Sequence, residues 1–136
     1  MDITRRQALE AAYTTNFNKL LESEARSIRL RTLRGMRAWH SELPEVVRQQ
    51  LATALQSRHA DLREAAAACL HLAPPAERET LALLALGDGN KRVRKAAVAA
   101  LQSASLEYTE LALHWITADL GSLRAQQELL RSLLHT

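Results

Sequence analysis

Apolar residues recur along this chain at helical spacing, and no run alternates with period two. Leu62, Ala66, Ala67 and Leu70 fall on one arc at about 100° per residue, and so do Val93, Ala97, Val98 and Leu101. The apolar volume is mostly Leu and Ala, both good helix formers, while Val and Ile are scarce. An all-helical chain is predicted. Pro44 and Pro74-Pro75 break it between helical stretches, and Pro75 suits a first helical position. Gly87 and Gly89 suit the turn after a helix C-terminus, where Asp88 or Asn90 can open the next helix.

The pattern repeats. The stretch "LQSRHADLREAAAACL" (55–70), moved along by 31 positions, lands on "LGDGNKRVRKAAVAAL" (86–101). Leu62-Arg63 meets Val93-Arg94, and the paired alanines and closing leucines coincide. An aliphatic-Arg pair also stands at Ile28-Arg29 and Leu123-Arg124, marking two weaker copies. Seven residues before these anchors stand Leu21, Leu55, Leu86 and Ile116; eight after stand Met36, Leu70, Leu101 and, breaking the pattern, Arg131. Periods near 30 residues point to stacked helix pairs, because one pair cannot bury its apolar face alone.

The order Leu, Asp or Ser, Val-Arg, Ala, Leu resembles the HEAT-repeat family, including its short bacterial form. The resemblance implies a small right-handed α-solenoid, with second helices lining a concave surface. The expected units are 3–40, 41–73, 74–104 and 105–136, in one domain over 1–136. Only Asp88 matches the family's Asp, so no side-chain ladder between units is expected. Arg31-Thr32 and Gln126-Gln127 replace the alanines of the middle units, which reads as polar capping of a complete four-unit molecule.

Charge and composition narrow the function. The chain of 136 residues is 47% hydrophobic and 24% charged, with net charge +3. That suits a soluble domain with a moderate core. Residues 1–40 hold eight Arg or Lys against four acids; residues 41–136 hold ten against eleven. The basic excess is N-terminal and weak for a dedicated DNA binder. No apolar run approaches the length of a membrane span. Arg5-Arg6 lacks the hydrophobic segment of an export signal, so the N-terminus reads as cytoplasmic, in keeping with the single Cys69.

Candidate chemistry is sparse. "GDGNKRV" (87–93) lacks the spacing of a phosphate loop. As a calcium loop opening at Asp88 it would put Arg92 and Ala99 where oxygen ligands belong. His40, His59, His71, His114 and His135 form no His-Glu-x-x-His arrangement, and Cys69 occupies a slot where small residues recur. No catalytic, metal or cofactor site is assigned, and no enzyme is expected.

The outward face of the second helices carries the remaining signal. It offers Arg26, Arg34 and Arg37, then Asp61 and Glu64, then Lys91, Arg92 and Lys95, and ends small and neutral at Gly121, Ser122, Ala125, Leu129 and Ser132. Phosphates favour an unbroken basic track, whereas alternating charge over small residues favours register with a protein partner. The expected function is a protein-binding adaptor whose concave face holds a segment carrying acidic groups. The alternative is a nucleic-acid binder using the clusters Arg26 to Arg37 and Lys91 to Lys95. Leu30 and Leu129 are expected to be exposed near opposite ends.

Overall fold

The structure, a computed structural model, describes residues 3–39, 43–105 and 107–135. His40 and the boundary expected at 40–41 lie outside the described residues. Every regular element among the described residues is helical. The helices are α1 (Ile3–Leu21), α2 (Arg26–Met36), α3 (Glu45–Leu55), α4 (Ala60–Ala67), α5 (Pro75–Leu86), α6 (Lys91–Ala104), α7 (Tyr108–Thr117) and α8 (Leu123–Leu134). A 3-10 turn at Leu70–Leu72 follows α4. No helix among them is long and apolar enough to cross a membrane.

Local chemistry sets the boundaries. Pro44 and Pro74, both extended, precede α3 and α5, and Pro75 occupies the first turn of α5. Asn90 opens α6 by accepting the Arg92 N–H at 2.8 Å, and Asp88 accepts the Asn90 N–H at 2.8 Å. Ser122 opens α8 by accepting the Ala125 N–H at 3.1 Å. Between α7 and α8 the chain turns through Asp119 (φ 57°) and Gly121 (φ 80°). A side chain at Gly121 would also meet Leu83 Cδ2 at 3.1 Å.

Each odd-numbered helix packs on its even-numbered successor. The odd helices α1, α3 and α5 touch in sequence, and so do the even helices α2, α4, α6 and α8. Leu21, Leu55 and Leu86 close the odd helices, and Met36, Leu70 and Leu101 fill the matching positions on the even side; all are buried. Where α4 meets α6, the buried residues include Ala65, Ala66, Ala67, Ala97 and Ala100. Alanine at such a contact lets two helix axes come close.

Three elements depart from the repeat, the first being α2, whose anchor Ile28 is exposed where Leu62 and Val93 are buried. Helix α4 stops three residues short of Leu70, because the following turn is closed from outside. The Arg78 guanidinium donates to the carbonyls of Leu70 (3.2 Å), His71 (3.4 Å) and Ala73 (2.7 Å), and Leu43 N–H donates to that of Leu72. Helix α8 is rotated relative to the aliphatic-Arg register. Ala125, Glu128 and Leu129 are buried, whereas Leu123 and Arg131 are exposed. The expectation of an exposed Leu129 is therefore corrected: keeping the register would bury Arg131, and an unpaired buried charge costs more than turning the helix. Leu30 is half-buried.

The repeat arginines tie the pairs together. Arg29, Arg63 and Arg94 donate to the carbonyls of Ser23, Ser57 and Asp88, at 2.8, 2.9 and 2.8 Å. The free edges of two of them reach the next pair: Arg63 Nε to Asp88 Oδ2 at 2.8 Å, and Arg94 Nε to Glu128 Oε1 at 2.9 Å. The side chains of Arg94 and Glu128 are only 14% and 5% exposed. A ladder between pairs thus exists where none was expected, because Glu128 supplies the carboxylate from a position the pattern gave to the apolar core.

Candidate functional site

Helices α2, α4 and α6 together enclose a groove of about 810 Å³. Its floor is built from small side chains: Ala65, Ala68, Ala96, Ala99 and Ala100. Arg34 and Arg37 stand at one rim, Arg92 and Lys95 at the other, with Asp61, Glu64 and His71 between. Six of the eight candidate residues therefore meet in one concavity. The other two, Arg26 and Lys91, are placed differently.

Arg26 turns inward along the chain. Its Nη2 donates to Asp61 Oδ2 at 2.7 Å, and its Nη1 lies 3.3 Å from His59 Nδ1. Burial raises the Asp61 carboxyl, but the hydrogen bonds from Arg26 and Leu62 N–H and the charges of Arg26 and His59 outweigh it. The carboxyl is held below its ordinary value. Arg26 and Asp61 thus spend charge on each other that the sequence pattern offered to a partner. Arg34, Arg37, Glu64, Lys91, Arg92 and Lys95 make no ion pair among the described residues.

Lys91 joins Lys95 in a second concavity of about 630 Å³, which shares Ala99 with the first. Its far wall comes from α8 and the residue after it: Glu128, Arg131, Ser132 and His135. Of the neutral end expected at Gly121, Ser122, Ala125, Leu129 and Ser132 only Ser132 lines this wall, joined by Glu128, Arg131 and His135 as a consequence of the rotated α8. Arg131 and His135 were missed for that reason; the signal was the Arg standing eight residues after the fourth anchor, where the other copies are apolar.

Two further groups are shaped by burial. Burial pushes His71 below its ordinary value, assisted by the Arg78 charge and opposed by the nearby backbone of Arg37, Trp39 and Ala68, while its buried Nδ1 makes no hydrogen bond among the described residues. Cys69 is buried, and its Sγ donates to the Leu33 carbonyl at 3.3 Å. Burial pushes the thiol up to about 12 against the pull of Arg37, so it is a packing residue and a poor nucleophile. Among the described residues no three His, Cys, Asp or Glu stand together as a metal ion requires.

The groove thus carries four cations without ion-pair partners among the described residues above an alanine floor, with Glu64 as its one carboxylate outside an ion pair. No protein-family model matches the chain, and no curated protein matches it.

Proposed function

We propose that this protein is a non-enzymatic, cytoplasmic adaptor: one domain of four HEAT-like helix pairs, coiled as a right-handed α-solenoid, whose concave groove holds an acidic amphipathic protein segment. The carrying observation is the alanine floor flanked by Arg34 and Arg37 on one side and Arg92 and Lys95 on the other. A helix or strand laid along the groove would set small apolar side chains on the alanines and its acids against the two rims. Glu64 sits between the rims and selects for a basic or neutral group at that level. Arg26 supports the site by holding Asp61.

The test is fluorescence anisotropy with a labelled amphipathic peptide, glutamates on one face and alanine or leucine on the other. The expected result is saturable binding, lost in Arg34→Glu/Arg37→Glu/Arg92→Glu while circular dichroism stays unchanged. Equal binding of a peptide with the same composition in scrambled order would refute the reading, because charge alone would then suffice.

Nucleic-acid binding is the second reading, and one observation favours it. With Asp61 taken up by Arg26, the track from Arg34 through Lys95 to Arg131 is interrupted only by Glu64 among the unpaired groups. A duplex oligonucleotide bound with a steep salt dependence, in place of the peptide, would establish it.

A further inference from the structure

The last helix pair turns an apolar, charge-divided face to solvent. On α8, Leu123, Leu130 and Leu134 are 72%, 50% and 72% exposed. Their spacing of seven and four residues puts them on one line along the helix, opposite the buried Ala125, Glu128 and Leu129. Such a line of leucines on a core-forming helix is ordinarily covered. Arg124 and Arg131 border it on one side; Arg131, half-exposed, also stands 3.6 Å from Glu128 Oε2 of its own helix. Helix α7 exposes Leu113 at 49% together with Glu110, so its outer face is acidic where that of α8 is basic.

The register between these helices is fixed. The Tyr108 hydroxyl and Ser132 Oγ are 2.6 Å apart, which sets the start of α7 level with the end of α8. At about 1.5 Å rise per residue in antiparallel helices, Glu110 then lies level with Leu130 and Arg131. A two-fold axis parallel to the helices keeps every residue at its own level and exchanges the helices across the interface. It lays α8 of one copy on α7 of the other, antiparallel. Leu113 of the second copy then lies level with Gln127, about 4.5 Å along the axis from Leu130, and its Glu110 lies level with Leu130, beside Arg131. The same contacts occur twice, as an isologous interface demands. The alternative of α8 against α8 in antiparallel fashion would bring Arg131 toward Arg124 of the other copy, and is disfavoured.

We propose that the protein forms a two-fold dimer through the outer faces of α7 and α8, leucines at the centre and Arg131–Glu110 pairs at the edge. The dimer leaves the groove floor between α4 and α6 open on both copies, so each assembly presents two grooves.

Analytical ultracentrifugation over a hundredfold concentration range tests this. The wild type is expected to sediment at twice the monomer mass at high concentration and to dissociate on dilution. Leu130→Glu/Leu134→Glu, which alters only exposed positions, is expected to weaken association at least a hundredfold with unchanged circular dichroism. Glu110→Arg and Arg131→Glu should each weaken association about tenfold, and their combination should recover most of the loss. A wild type that stays monomeric throughout, a dimer indifferent to Leu130→Glu/Leu134→Glu, or charge variants that fail to rescue each other would overturn the proposal.

Discussion

Replacing Arg94 by Met probes the ladder at its most buried rung. Arg94 joins two carbonyl-side groups: Glu128 Oε1 at 2.9 Å in α8 and the Asp88 carbonyl at 2.8 Å. Its removal leaves Glu128 nearly solvent-free, with only Arg131 at 3.6 Å to compensate. Breaking a buried pair from one side costs about 3 to 5 kcal/mol, and the residual contact with Arg131 sets the expected loss near about 3 kcal/mol. Glu128→Met is milder, about 2 kcal/mol, because Arg94 keeps its Asp88 carbonyl. Removing both charges restores a consistent interior, so the double variant should cost less than Arg94→Met alone. Urea denaturation reads all of this. With a slope of about 2 kcal/mol per molar urea, Arg94→Met lowers the midpoint by about 1.5 M. Costs of the two single changes that simply add in the double variant would refute the account, since they would show the groups acting independently.

His71 gives a pH signature: its folded value is depressed below the ordinary 6.5, so the unfolded chain takes up the proton first. The stability present above that value is lost as pH falls through the folded one, and in denaturation curves at about pH 7 and about pH 5 His71→Gln should show a smaller drop than the wild type. Cys69, with its thiol pushed up to about 12 and buried, should react with a thiol reagent only on unfolding. Rapid labelling of the native protein would contradict its placement.

The middle of the fold was legible because its constraints are local and repeated. Leu62, Leu70, Val93 and Leu101 must be apolar to fill equivalent slots, and alanines between them must be small for α4 to approach α6. Glycine, asparagine and proline at 74–90 announce their turns by backbone chemistry alone. The end of the chain was not legible by the same rule. Leu123-Arg124 imitates the anchor, yet Ser122 caps the helix, Leu129 enters the core and Leu123 is left outside. A periodicity count weighs the anchor pair and the position eight beyond it equally, whereas the free energy of burying Arg131 does not. Nor could spacing show that Arg26 would reach Asp61 in the next pair, which spends one candidate cation on one candidate carboxylate. Glu128 was hidden for a related reason: a glutamate on the core face looks like an error in the pattern until Arg94 is brought opposite.

Two buried arginine links join a guanidinium to a carboxylate made later in the chain, and that has a consequence for synthesis. Arg63 waits for Asp88, Arg94 waits for Glu128, and the turn after α4 waits for Arg78. The second and third helix pairs therefore leave the ribosome before the carboxylate or guanidinium that completes these contacts has been made. Water serves them until the next pair arrives and displaces it. The nascent chain thus carries, at its growing edge, polar groups that become internal ties once the following helices dock.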